Sequence, residues 1–148
     1  MKLPILLGAV ALVASAAAAA DDPIAARQAI MDSNGTSAAV AGGMLKDEIP
    51  YSPVVAKSVI GALTATAHTF GDYFPEGSLD PARSSAAPKI WDDPAAFEAA
   101  LAEFSTAVAA AVQASGKDGP ADKAAFQAAM QPVLGTCRTC HESFRVKN

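Results

Sequence analysis

The sequence predicts an all-α fold, an antiparallel bundle of four helices. Alanine is very abundant, only 6% of the residues are aromatic, and four amphipathic segments follow one another without strand-like alternation. Alanine is the best helix former and a poor strand former. The 148 residues, 51% apolar and 18% charged, suit one domain and are too apolar for a disordered chain. Four such helices with short or medium loops bury their apolar stripes against each other.

An export signal is expected at the start of the chain, over residues 1–20. Lys2 supplies a positive charge, an apolar run of signal-peptide length follows, and small residues lead to a cleavage site near Ala20. A membrane-spanning helix is the alternative, but the run of strongly apolar residues is shorter than a membrane span requires, and two aspartates follow. We therefore expect residues 21–148 to form the single mature domain, exported to the periplasm of a Gram-negative source. No later stretch is expected to be apolar enough to span a membrane.

Caps and prolines mark the first two helical segments. The first is expected from Pro23 to Leu45, with Asp22 as N-cap and proline at the first helical position. The second begins at Ser52–Pro53 with the same pattern and ends before Gly71. Their apolar stripes have helical spacing: Ile24, Met31, Ala38, Ala41 and Leu45, then Val55, Val59, Leu63, Thr66 and Phe70.

A polar surface loop from about Pro75 to Asp92 separates these from two further segments, and Ile90–Trp91 is expected to anchor its end in the core. The third segment begins at Asp93–Pro94 and the fourth covers about Ala121 to Arg145. Pro132 lies inside the fourth and should kink or split it. The stripes are Phe97, Leu101, Phe104, Val108 and Val112, then Phe126, Met130, Val133, Cys137, His141 and Phe144.

The strongest chemical signal is the C-R-T-C-H run that contains Cys137, Cys140 and His141. C-x-x-C-H is the attachment pattern of c-type haem, in which two thiols form thioethers with the vinyl groups and the adjacent histidine reaches the iron. This spacing puts both sulfurs and the imidazole on one helical surface. A thioredoxin-like site would need a βαβ setting, and a structural zinc site would need four ligands. A plain disulfide is also an alternative, but it would leave the histidine without a role.

The chain resembles a class II cytochrome c, the cytochrome c′ family. Its haem motif lies near the C-terminus, and Arg27–Met31 matches the family's Arg-x-x-x-Met signature on the first helix. The stretches Ala87–Trp91 and Met130–Arg145 are also similar to family members. The resemblance covers the whole mature chain. It implies a four-helix bundle with one haem c, bound covalently through the two cysteines of the motif.

The resemblance also implies that His141 is one axial ligand of the iron, so the function depends on the opposite side. In five-coordinate cytochromes c′ that side is empty and binds nitric oxide or carbon monoxide. In the low-spin branch a methionine of the first helix binds the iron, and the protein carries electrons. Met31 is the candidate, because it lies on the expected buried stripe of the first helix; a thioether ligand also stabilises ferrous iron and raises the potential. The residues that follow it, Asp32–Gly35, look more like the low-spin branch. The alternative is that Met31 only packs on the haem face.

Two arginines are candidate haem neighbours. Arg27, one turn before Met31, matches a family position that can pair with a haem propionate; a solvated arginine is the alternative. Arg145, one turn after His141, stands where a basic residue of the family can influence proximal ligand chemistry, and in a low-spin haem it could be structural only. Aromatic side chains that could touch the ring as well as fill the core are Phe144, Trp91 and Phe126.

Other potential iron ligands are expected to have different roles. Met44 on the first helix and Met130, two turns before Cys137, are expected in the core. His68 falls on the more polar side of the second helix, so a surface position is expected. Ligation of the iron by two histidines, through His68, is the alternative.

These features predict a monohaem electron carrier rather than an enzyme. Transfer would be outer-sphere, between Fe(III) and Fe(II), with His141 and Met31 as ligands; a gas-binding five-coordinate cytochrome c′ is the alternative. A peroxidase is disfavoured because the sequence shows no distal His–Arg pair. The net charge of −4, one unit more negative without Lys2, argues against nucleic acid and favours redox protein partners with basic surfaces. Monomer and homodimer both stay open.

Overall fold

The computed structural model describes residues 22–146, and its four long helices form an antiparallel bundle. These helices are α1 (Pro23–Leu45), α2 (Pro53–Thr69), α3 (Pro94–Ser115) and α4 (Lys123–Phe144). A 3₁₀ turn, Phe70–Tyr73, extends α2, and a single helical turn, Lys89–Asp92, precedes α3. The predicted fold class is confirmed. The expected export signal lies outside the described residues.

Local capping determines where the helices begin. Three N-caps are those predicted, each with proline as the next residue: Asp22, Ser52 and Asp93. The fourth helix begins at Lys123, later than the expected Ala121. Asp122 is its N-cap, and the carboxylate accepts a backbone N–H from the first turn at 2.8 Å. Each cap satisfies a backbone donor that has no partner within its own helix.

Some details of the predicted helices were wrong. Pro132 lies inside α4, which runs unbroken from Lys123 to Phe144, so the alternative of a split helix was wrong. Val55 and Val112 were placed on the apolar stripes, yet they are 38% and 42% exposed. Their neighbours Ala56 and Ala111 are buried instead, at 0% and 2% exposure. One residue corresponds to a rotation of about 100° around the helix, which is enough to turn a side chain out of the interface.

Two apolar clusters hold the bundle together. The larger cluster draws on all four helices and includes Met44, Met130 and Phe126, each 0% exposed. Both methionines are therefore core residues, as predicted. The smaller cluster joins Ile90 of the loop to Phe97 of α3 and Phe144 of α4, which confirms that Ile90 anchors the loop. Full burial of side chains of this size contributes about 1.5–3 kcal/mol each.

The end of the α2–α3 loop is tied to the end of α4. Ala86 and Arg145 form an isolated antiparallel bridge, flanked by backbone hydrogen bonds of 2.9 and 2.8 Å. The bridge fixes the backbone of Arg145 directly after the last turn of α4, the turn that carries His141. The loop therefore forms part of the wall around that turn.

We expected no later stretch to be apolar enough to span a membrane. This was wrong, because by length and composition alone α3 is long and apolar enough. Pro94–Ser115, the helix α3, contains an 18-residue window of mean hydropathy 1.4, of which 17% is buried. Its hydropathy comes largely from alanine, a residue that is mildly apolar and equally common in soluble helices. The helix packs against α2 and α4 in the bundle. Length and composition alone are weak evidence for a span.

Candidate haem-binding site

Two adjoining cavities open between the helices around the cysteine–histidine motif. Their volumes are about 490 Å³ and 130 Å³. The larger falls within the range of roughly 300–1,000 Å³ that is usual for ligand and cofactor sites. Both cavities share six lining residues: Met31, Phe70, Ser85, Cys140, His141 and Arg145. The six come from α1, the 3₁₀ turn, the loop and the end of α4, so every part of the wall depends on tertiary packing.

α4 supplies the motif. Cys137, Cys140 and His141 stand at positions i, i+3 and i+4 of a continuous helix, which puts them on one face. Both cysteines are free and half-buried. Burial raises the pKa of both thiols, and the nearby sulfur of Cys137 raises that of Cys140 further. The neutral thiol carries both the sulfur and the hydrogen that addition to a vinyl group requires.

The imidazole of His141 lines both cavities. Partial burial lowers its pKa below the usual value for histidine, and the positive charge of Arg145 lowers it further. A lowered pKa favours the neutral ring, and the neutral ring is the form that binds a metal through a nitrogen lone pair. Arg145 also lines both cavities, and its backbone is held by the bridge to Ala86. The arginine therefore stands beside the histidine, as its position in the sequence predicted.

Met31 reaches the same cavities from α1. Its side chain is half-buried, and it lines both of them together with Cys140 and His141. The structure thus brings a thioether from the first helix and an imidazole from the last helix to one space. Neighbouring walls of the larger cavity are apolar and include Leu101 and Phe104 of α3.

Arg27 lies one turn before Met31 and is 3% exposed, so the alternative of a solvated arginine was wrong. Its two terminal nitrogens donate four hydrogen bonds to the 3₁₀ turn after α2 and to the α2–α3 loop. The acceptors are the Tyr73 carbonyl at 3.3 Å, the Ser78 hydroxyl at 3.1 Å, the Ser78 carbonyl at 2.8 Å and the Ser84 hydroxyl at 3.2 Å. The guanidinium also lies 5.0 Å from the Phe74 ring centroid and 5.7 Å from that of Trp91. Burial lowers the pKa of this arginine.

The Nε atom of Arg27 is buried and has no hydrogen-bond partner among the described residues. A buried polar atom without a partner costs about 1–3 kcal/mol, so native proteins rarely leave one unpaired. Arg27 lines the smaller cavity, so an anionic group bound there would lie beside its guanidinium. The apolar walls, the two thiols, the imidazole and this donor together fit an amphipathic macrocycle with carboxylate groups.

The remaining predicted neighbours divide between the site and the core. Phe144 lines the smaller cavity, Trp91 packs near Arg27, and Phe126 lies in the larger core cluster instead. His68 is exposed and lines neither cavity, so the surface position predicted for it is confirmed.

Sequence reasoning missed four polar residues of the site. They are Ser78 and Ser84, which accept hydrogen bonds from Arg27, and Asn34 and Thr66, which line the larger cavity. Serine and threonine are common in loops and helices, and nothing in their spacing marks them as partners of distant residues. Only the hydrogen bonds seen in three dimensions identify them.

Comparison with known proteins decides the family. The family profile described as Cytochrome C′ matches residues 22–145. The chain belongs to the cytochrome c′ family. Cytochrome c-556 of Rhodopseudomonas palustris is 34% identical, covering 99% of this chain and 98% of that protein. Cytochrome c′ of the same species is 32% identical, covering 99% of this chain and 97% of that protein. The solved structure of cytochrome c′ from R. palustris has a TM-score of 0.76 and 32% identity, covering 86% of this chain and 98% of that one.

Membership in the cytochrome c′ family establishes the cofactor. The chain is a monohaem c-type cytochrome with covalently attached haem c, and it contains two cysteines. Members of the family carry electrons or bind ligands. Proteins named c-556 and c′ match this chain almost equally well, so the choice between those two functions depends on the site itself.

Proposed function

We propose that the protein is an exported electron carrier whose haem iron is bound by His141 and Met31. One observation carries the proposal: the thioether of Met31 and the imidazole of His141 line the same two cavities, although they come from opposite ends of the chain. Cys140 lines both cavities as well. Met31 and His141 would therefore both be available to bind the iron of a haem held by Cys137 and Cys140.

Each residue has a defined role in this proposal. Cys137 and Cys140 hold the haem covalently, and bound haem supplies a one-electron Fe(III)/Fe(II) couple. His141, whose neutral form is favoured by its surroundings, would bind the iron through a nitrogen lone pair, and Met31 would bind it through sulfur. A thioether ligand favours the ferrous state and raises the reduction potential. Arg27, whose Nε atom has no partner among the described residues, would pair with a propionate of the bound haem.

Electron transfer in this proposal makes and breaks no substrate bonds, so the protein is a carrier and not an enzyme. Residues 1–20 direct export to the periplasm, and residues 21–148 form the single mature domain. The partners are redox proteins with basic surfaces, because the net charge of −4, one unit more negative without Lys2, steers them toward this chain. Salt weakens that steering, since the screening length falls to about 8 Å at physiological ionic strength. The mature protein acts as a monomer or a homodimer.

Absorption spectroscopy of the exported, haem-containing protein tests the ligand assignment. The oxidised wild type is expected to show a methionine–iron charge-transfer band, and the reduced protein sharp α and β bands with no response to carbon monoxide. Met31→Leu keeps the apolar volume and removes the sulfur, so it should abolish that band and allow carbon monoxide to bind. Met130→Leu is the matched control, because Met130 is 0% exposed and lines neither cavity.

The outcomes separate the two functions. A wild-type spectrum that is high-spin and shifts with carbon monoxide would make the protein a five-coordinate gas binder, in which Met31 only packs on the haem. Equal spectra for Met31→Leu and Met130→Leu would also mean that Met31 does not bind the iron.

A further inference from the structure

A single hydrogen bond crosses from α2 to α1 in the wall of the larger cavity. The Thr66 hydroxyl donates to the side-chain oxygen of Asn34 at 2.8 Å. Thr66 is 6% exposed, and both residues line this cavity together with Met31. We propose that the Asn34–Thr66 pair positions Met31 and limits its displacement from the iron by other ligands. This inference rests on the proposed ligation of the iron by Met31.

The hydroxyl of Thr66 has a different hydrogen-bond partner from the other side-chain hydroxyls on α2. Three of them donate to the carbonyl four residues earlier in the same helix: Ser58 at 2.9 Å, Thr64 at 2.9 Å and Thr69 at 3.0 Å. Such bonds within a helix are the usual choice of serine and threonine. Thr66 instead donates to a side chain of α1. Its hydroxyl therefore links two helices at the depth of the cavity.

The pair lies where it can control Met31. Asn34 is three residues after Met31, so the two side chains share one face of α1. Arg27, four residues before Met31 on the same face, is bound to the loop that follows α2. Met31 is thus flanked by one polar anchor on each side, each about one helical turn away. Both anchors join α1 to α2 or to the loop after it, and they hold the methionine at a constant distance from that side of the site.

Removing one anchor should make Met31 easier to displace. A ligand that competes with Met31 binds only the fraction of molecules in which the sulfur has left the iron, so its apparent affinity reports that fraction. Loss of a typical hydrogen bond changes an equilibrium constant by about 2-fold to 12-fold. Thr66→Val removes the hydroxyl at nearly constant volume. We expect it to raise the apparent affinity of the ferric protein for imidazole about 3-fold to 10-fold.

Two controls distinguish positioning from a general loss of stability. Thr64→Val removes a hydroxyl from the same helix. Thr64 lines neither cavity and its hydroxyl donates to a carbonyl of its own helix, so the imidazole affinity should stay unchanged. Thr66→Ser keeps the hydroxyl and should retain most of the wild-type behaviour. Asn34→Ala removes the acceptor and should raise the affinity like Thr66→Val. The double variant should show less than the product of the two effects, because both substitutions remove the same bond.

Imidazole titrations of the exported haem protein, with the charge-transfer band recorded for each variant, test the proposal. The proposal is supported if Thr66→Val and Asn34→Ala bind imidazole more tightly than the wild type and Thr64→Val does not. This holds even if the thermal midpoints of the variants are similar. If the band is present in the wild type and Thr66→Val binds imidazole like Thr64→Val, the positioning role is overturned while methionine ligation stands. If the wild type lacks the band, Met31 is not a ligand, and both proposals fall together.

Discussion

Replacing Arg27 by lysine keeps the buried positive charge but removes the planar group that joins α1 to the loop. The two terminal nitrogens of arginine each make two of the four hydrogen bonds to Tyr73, Ser78 and Ser84. Lysine has a single nitrogen and can occupy the place of only one of them. At least two bonds from a charged donor are lost, and each contributes about 1.5–3 kcal/mol. We therefore expect the free energy of unfolding to fall by about 3–6 kcal/mol.

Denaturant unfolding of the haem-containing protein, followed by circular dichroism, measures this loss. Arg83→Lys is the matched control, because Arg83 lies in the same loop but is 51% exposed and pairs with Asp22 at the surface. Exposed ion pairs contribute up to about 1 kcal/mol, so the control should change little. The cation–π contacts of Arg27 with Phe74 and Trp91 are largely retained by lysine, which also keeps the charge.

If Arg27→Lys and Arg83→Lys destabilise the protein equally, the buried hydrogen bonds of Arg27 do not make the expected contribution to stability. A second check uses Ser84→Ala, alone and together with Arg27→Lys. Because Ser84 accepts one of the four bonds, the two substitutions should be less than additive. Simple additivity would mean that the bond between them contributes nothing.

Four further predictions follow from particular contacts. Cys137→Ser combined with Cys140→Ser should make the haem extractable by acidic organic solvent, whereas wild-type haem should stay with the protein. Phe126→Ala, at a 0% exposed core position, should lower the free energy of unfolding by about 3–5 kcal/mol in denaturant titrations, whereas Val112→Ala at a 42% exposed site should change it little. Gly119→Ala should lower the thermal midpoint because its Cβ would clash with the Pro53 carbonyl oxygen and its φ is 96°. Gly61→Ala, with open space around it, should raise the thermal midpoint. Asp22→Asn tests the carboxylate whose pKa is lowered by hydrogen bonds from Arg83 and from the N-terminal turn of α1. Its stabilising effect should be complete above the unfolded pKa of about 3.9 and be lost as pH falls through the lower folded value, so wild type and variant should converge in acid.

The helices and the attachment motif could be predicted because their signals are local. Asp22–Pro23, Ser52–Pro53 and Asp93–Pro94 each combine a capping side chain with a proline, so the starts of three helices follow from adjacent residues. The buried methionines and the exposed His68 followed from helical periodicity. Periodicity failed at Val55 and Val112, where a shift of one residue decides which side chain faces a neighbouring helix.

The partners of Arg27 could not be predicted from the sequence. Their separation from it, 46 to 57 residues, exceeds any helical or turn spacing, and serines carry no signal of their own. Burial of a guanidinium is expensive unless its hydrogen bonds are satisfied, so an exposed position was the reasonable alternative. The bridge between Ala86 and Arg145 likewise could not be predicted, because the sequence shows no strand pattern.

By itself, the sequence determined the family, the four helices and the residues that attach haem, because each is encoded by neighbours within one or two turns. Only the tertiary structure decided what surrounds those residues. Packing of α1 against α2 brings Asn34 to Thr66, and folding of the loop over α1 brings Ser78 to Arg27. Met31 and His141 face one space only because the first and last helices lie in the same bundle. Contacts of this kind depend on the relative placement of whole helices, which local spacing does not encode.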